Sequence, residues 1–184
     1  MNHENPRIAV VFASAQGSTR AVADYIGADL AGRGALVEVA DAEHAPDLSR
    51  FDAVILGSAV HNADVLPDMA DFARSHRQEL RDRPVWLFTV GMGPALRGPI
   101  GHRLAAVVPK KIAALRDSLN AVSYHAFAGR FEQAGVAWWA RAVYRLAGGG
   151  RYGDLRDWPA IVEWTATVAS ALRLPGSATS IVYP

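Results

Sequence analysis

Ser14-Ala15-Gln16-Gly17-Ser18-Thr19 joins two segments of different periodicity. Before it, Ile8 to Phe12 is an unbroken apolar run of strand length. After it, Val22, Tyr25, Ile26 and Leu30 recur at helical spacing. The six residues therefore read as a strand-to-helix turn. Such a turn presents unpaired backbone N–H groups and the positive end of a helix dipole, and Ser14, Ser18 and Thr19 add hydroxyl donors. Gly17 allows an anion to approach the backbone, and Arg20 supplies a positive charge one residue further on. The stretch is expected to seat a phosphate. Ser and Thr are also the commonest helix caps, so an ordinary capped turn fits the same letters. The later loops have to decide between the two.

Outward from this turn the pattern repeats. Gly32 and Gly34 stop the first helix, and Leu36 to Val39 alternates as a short strand. Phe51 to Gly57 gives another buried strand, running into Gly57-Ser58-Ala59-Val60-His61-Asn62. Pro67 opens a helix with Met69, Phe72, Ala73, His76 and Leu80 on one face. Pro84 precedes a strand, Val85 to Val90, that runs into Gly91-Met92-Gly93-Pro94. Residues 95 to 120 read as a long loop and then a helix from about Pro109 to Asp117. Ala121 to Ala128 is a fifth strand. Residues 129 to 150 form an insertion with a short helix, ended by Gly148-Gly149-Gly150. Asp157 caps a last helix carrying Ile161, Trp164, Val168 and Leu172, and the stretch from Leu174 to Pro184 reads as a mobile tail.

Strands alternating with helices imply one α/β domain over residues 1–173, a doubly wound five-stranded parallel sheet with helices on both faces. Strand order 2-1-3-4-5 is expected. Ligands of such sheets bind outside the carboxyl ends of the strands, at the switch point between the first and third. The loops after strands one, three and four all fall on that edge, and together they favour cofactor contact over simple turn geometry.

Composition narrows the chemistry. A chain of 184 residues that is 51% hydrophobic and 20% charged suits a soluble globular protein. The polar start, Met1 to Arg7, lacks a signal-peptide pattern, so a cytoplasmic location is expected. With no cysteine there are no disulfides, thiolate metal sites or iron–sulfur clusters, and redox chemistry has to come from a bound cofactor. The six histidines form no i, i+4 pair, so no metal site is expected. A net charge of +1 gives no argument for nucleic acid. Ser14 has no His and Asp partners in motif context, which disfavours a hydrolase. A phospho-acceptor receiver would need acids where Ala13 and Ser14 stand.

From Arg7 to Leu172 the sequence resembles the flavodoxin family. Ser14 to Thr19 resembles its phosphate loop, Gly57 to Asn62 the loop on one face of the flavin, and Thr89-Val90-Gly91-Met92-Gly93-Pro94 the loop on its other side. The resemblance implies noncovalent FMN, with phosphate on the first loop and isoalloxazine between the others. Backbone N–H groups of Val90 to Gly93 would then face the pyrimidine edge, with a backbone group of Gly57 or Ser58 near the flavin N5. A closer resemblance is to the menaquinone-dependent protoporphyrinogen oxidase branch. It is carried by Gly17-Ser18-Thr19-Arg20, Ala128-Gly129, Trp138-Trp139 with Arg141 and Arg145, Gly148-Gly149 and Asp157-Trp158. It implies electron transfer between a porphyrinogen and a quinone. Neither flavin loop contains Trp, Tyr or Phe, leaving His61 and Met92 as candidate ring neighbours, and the chain is not acidic as carrier flavodoxins are.

The insertion offers a second surface. Trp138, Arg141 and Arg145 share one helical face, while Val136, Trp139, Ala140, Val143 and Ala147 share another. Such a helix suits contact with a quinone or a membrane surface, and equally docking on the protein's own sheet edge. Arg130, Arg141, Arg145 and Arg151 suit carboxylates. The chain thus reads as an FMN-dependent oxidoreductase, peripheral membrane contact and a homodimer being compatible with this face. The alternatives are a soluble electron carrier and a binding module of the same fold without flavin.

Overall fold

In the computed structural model, residues 5–95, 107–131 and 153–176 are described. Five parallel strands form the frame: β1 (Arg7–Ala13), β2 (Leu36–Asp41), β3 (Ala53–His61), β5 (Val85–Gly91) and β6 (Ser123–Ala128). A two-residue strand, β4 (Asp64–Val65), folds back antiparallel on the end of β3. The order is β2-β1-β3-β5-β6, which is the expected 2-1-3-4-5 once β4 is set aside. A separate antiparallel ribbon joins β7 (Arg130–Phe131) to β8 (Gly153–Asp154) at the base of the insertion.

The unbroken apolar runs follow from burial on both faces. Alternate residues of β1 separate cleanly: Ile8, Val10 and Phe12 pack toward α1 (Ser18–Gly32) and α5 (Trp158–Ala171), and Ala9, Val11 and Ala13 toward the opposite layer. That layer holds α2 (Pro67–Ser75), α3 (Arg77–Arg81) and α4 (Lys110–Ser118). Two cores therefore clamp the sheet. Each fully buried Ile, Leu or Phe contributes roughly 1.5–3 kcal/mol relative to exposure.

Some boundaries differ from the sequence reading, each for a local reason. β3 does not end at Gly57. Its ladder continues through Gly57↔Phe88, Ser58↔Thr89 and Ala59↔Val90, and then pairs Val60 and His61 with β4. The single helix expected from Pro67 to Leu80 breaks at His76, whose ring stacks on Phe72 at 4.4 Å while Nδ1 lies 3.1 Å from the Phe72 carbonyl oxygen. The helix near Pro109 begins at Lys110, with extended Pro109 as its cap residue, and Asp157 caps α5 by accepting from the Ala160 N–H at 3.1 Å. Leu174, read as the start of the tail, packs against the core and donates its N–H to Ala169 O at 2.9 Å. Trp138, Trp139, Arg141 and Arg145, residues 96–106 of the expected loop and residues 177–184 of the expected tail lie outside the described residues.

Candidate functional site

The turn after β1 is shaped by one side chain and one glycine. Ser14 Oγ accepts from the Gly17 N–H at 3.0 Å, and Gly17 is left-handed, with φ at 83°. That conformation favours glycine because a Cβ there crowds the backbone. Gly17 is the N-cap of α1, and no side chain caps the helix. Its first backbone bond runs from Ala21 N–H to the Gly17 carbonyl at 3.0 Å, so the N–H groups of Ser18, Thr19 and Arg20 have no intrahelical acceptor. Thr19 is fully buried, and its hydroxyl is the one buried side-chain polar atom without a hydrogen-bond partner among the described residues. Arg20 is exposed and loosely paired with Asp24 at 3.7 Å.

Beside this helix end lies a cavity of about 230 Å³ at the carboxyl edge of the sheet. Ala15, Gln16 and Ser18 border it from the turn, and Ala59, Val60 and His61 from the end of β3. Val90, Gly91 and Met92 face them from β5, and Gly129, Arg130 and Leu155 close the side next to the insertion. Gly129 is closely packed: a Cβ there would lie 3.0 Å from Val90 Cγ1 and 3.4 Å from Ser18 Oγ. Leu66, Ala95 and Leu155 were not singled out in the sequence. Leu155 is an isolated apolar residue among polar neighbours, and no periodicity marks it.

The base of the insertion is anchored here. Asp154 accepts from Arg156 Nε at 2.8 Å and Nη2 at 2.5 Å, and this bond, with help from the Arg156 N–H and the charge of Arg130, holds its carboxyl below the usual range. The Arg156 guanidinium lies over the Trp158 ring at 4.7 Å, and Trp158 meets Tyr25 of α1 at 5.3 Å. Leu155 donates its N–H to the Gly129 carbonyl at 3.3 Å.

Other candidate residues occupy different places. Gly57 lies inside β3, where the Phe88 ring fills the space a side chain would need, so it does not border the cavity. Ser58 is fully buried; its Oγ donates to Ala59 O at 2.9 Å and accepts from the Leu66 N–H at 3.0 Å, tying β3 to the start of α2. Thr89 is turned to the other sheet face, its Oγ1 2.8 Å from the Tyr124 hydroxyl. With Gly93 it borders a second cavity, of about 450 Å³, that shares Val60, Gly91 and Met92 with the first. Asp41, Glu43 and His44 bring three ligand atoms within 4.8 Å after β2, but one Asp41 oxygen caps that turn through the Glu43 N–H at 3.1 Å.

Comparison with known proteins gives the same architecture. A family model described as Flavodoxin domain matches residues 9–150. No curated protein matches the sequence. A flavodoxin from the domain Archaea is similar in structure, with a TM-score of 0.51 at 17% identity over 69% of this chain and 86% of that one. So is rubredoxin oxygen:oxidoreductase from the anaerobe Desulfovibrio gigas, with a TM-score of 0.56 at 15% identity over 92% of this chain. A mutant flavo di-iron protein from Thermotoga maritima gives 0.55 at 15% over the same share. The chain spans 37% and 36% of the length of these last two. At such identities the likeness is one of fold.

Proposed function

We propose that this chain, which belongs to the Flavodoxin domain family, binds FMN noncovalently at the first cavity and works as an oxidoreductase. The observation that carries the reading is the buried, unpartnered Thr19 hydroxyl beneath an uncapped helix N-terminus. A buried hydroxyl without a partner costs about 1–3 kcal/mol, and a phosphate on the free N–H groups of α1 would supply one. A Cβ on Gly17 would meet nothing within 4 Å, so the chain is open at that point of the turn. The donor set thus fits a phosphate monoester.

When bound, flavin supplies the electron-accepting ring, and the protein supplies position and electrostatics. Val60, His61 and Met92 border the cavity with one aliphatic, one imidazole and one thioether side chain. The cavity is smaller than the roughly 300–1,000 Å³ of pockets that enclose a drug-sized ligand, so the described residues can enclose only part of a flavin. Among the described residues no helix is long and apolar enough to cross a membrane.

The finer reading is oxidation of a porphyrinogen with a quinone as acceptor. It rests on the Ala128-Gly129 and Asp157-Trp158 matches and on Arg130, which borders the cavity where a substrate carboxylate would meet its charge. The test is the absorbance spectrum of the purified protein after saturation with FMN or riboflavin and desalting. Retained flavin bands with FMN preferred are expected, followed by turnover of protoporphyrinogen with menaquinone. No retention of either flavin overturns the cofactor reading. Retention without turnover overturns only the finer one and favours an electron carrier.

A further inference from the structure

The second cavity lies across the end of β5 from the first, between that strand's carboxyl end, the start of α4 and β6. We propose that it is a binding site for an uncharged, mainly apolar ring compound carrying a carbonyl oxygen, held by a hydrogen bond from the Thr89–Tyr124 hydroxyl pair. This goes beyond the flavin reading and does not depend on it.

Size and lining set the ligand class. About 450 Å³ lies within the range of small-molecule pockets and accommodates two or three rings. Val60, Val107, Val108, Pro109 and Ile112 give the wall aliphatic side chains, and Val107 is 67% exposed at the rim, an apolar surface turned to water. No Lys, Arg, Asp or Glu is among the described lining residues. Among the described lining residues a charged ligand would find no partner to replace its lost hydration. Lys111, next to Ile112, is already held by Asp64 at 2.9 Å.

The polar contact is specific. Thr89 Oγ1 and Tyr124 Oη, 2.8 Å apart, carry two hydroxyl hydrogens, and their mutual bond uses one. The other has no acceptor among the described residues, although Thr89 is only 1% exposed. A ligand carbonyl supplies that acceptor. Burial pushes the Tyr124 hydroxyl above its ordinary value, with the Thr89 bond and Arg116 pulling weakly the other way, so the phenol remains a donor at neutral pH. His125 borders the cavity from the next position, but its ring meets that of Phe127, in the opposite core, at 4.6 Å and a tilt of 36°, with Glu163 and Asp157 as its charged neighbours. Its protonation therefore places no charge beside the ligand.

The probe is benzophenone, a neutral diaryl ketone that also photolabels its neighbours. It is dialysed against the purified full chain without added flavin, alongside 4-benzoylbenzoate as its charged counterpart. Saturable one-to-one binding is expected, with photolabel on Met92 and on the segment from Val107 to Ile112. Tyr124→Phe combined with Thr89→Val, which removes both hydroxyls and keeps the ring and the β-branch, should weaken binding about 3- to 10-fold, the size of one neutral hydrogen bond. Ala126→Phe, which fills the cavity, should abolish it, and 4-benzoylbenzoate should bind at least about 10-fold more weakly because its carboxylate finds no partner. Label spread over the surface, equal binding of the two ketones, or affinity unchanged in the folded double variant lacking both hydroxyls overturns the proposal.

Discussion

At Thr19 a hydroxyl is buried with no partner inside a helix that starts without a side-chain cap. In the ligand-free protein it is a cost, which the phosphate proposed above would offset by accepting its hydrogen. Thr19→Val, nearly isosteric and also β-branched, therefore separates the two states. The flavin-free variant is expected to be about 1 kcal/mol more stable than wild type in urea unfolding, while FMN affinity falls about 10-fold or more, the worth of a bond to a charged acceptor. Riboflavin affinity should not change. A loss of stability together with unaltered FMN binding would identify Thr19 as a packing residue. His125 is the other residue whose surroundings yield a sign. Burial lowers its value below the ordinary 6.5, and Glu163 and Asp157 offset this only in part. The unfolded chain then takes up the proton first, so stability is full above about pH 6.5 and falls as pH drops toward the lower folded-state value. His125→Gln is expected to flatten that part of the profile, measured as urea midpoints from pH 7.5 down to 5. An unchanged slope would exclude His125 as its source.

Elements here owe their ends to single backbone positions. Gly34, Asn120 and Arg173 follow α1, α4 and α5 with positive φ, and the next N–H in each case reaches back to the helix: Ala35 to Leu30 O at 3.1 Å, Ala121 to Arg116 O at 3.1 Å and Leu174 to Ala169 O at 2.9 Å. Only Gly34 was legible as a stop, because Asn tolerates this region less obviously and Arg is unusual there. The β3–β4 hairpin is the strained case. Asn62 and Ala63 sit at φ 50° and 58°, the two central positions of a turn that favours Asn-Gly. Ala63→Gly is expected to raise stability by about 1 kcal/mol, the left-handed penalty less the entropy of an added glycine. Thermal melts check this, and a lower midpoint would mean that the Ala63 methyl packs usefully at the second cavity.

Across the whole molecule, two cores hold five parallel strands so that their carboxyl ends open on one edge, where both cavities lie. The apolar runs Ile8–Phe12 and Val85–Phe88 and the glycine-containing turns that follow these strands determined that frame, because strands buried on both faces leave little room for polar alternation. They also determined the helix starting after Gly17 and the Asp157 cap, which depend on neighbours in sequence. Tertiary structure alone decided which candidates share a cavity. Gly57 is committed to Phe88 and Ser58 to Leu66, contacts across 31 and 8 positions, while Thr89 turns to Tyr124, 35 positions away. The second cavity is likewise built from β3, β5, α4 and β6, which no local pattern brings together. Short-range preferences fix turns and faces; the direction in which a buried hydroxyl or glycine is used depends on the side chain that the packed sheet places against it.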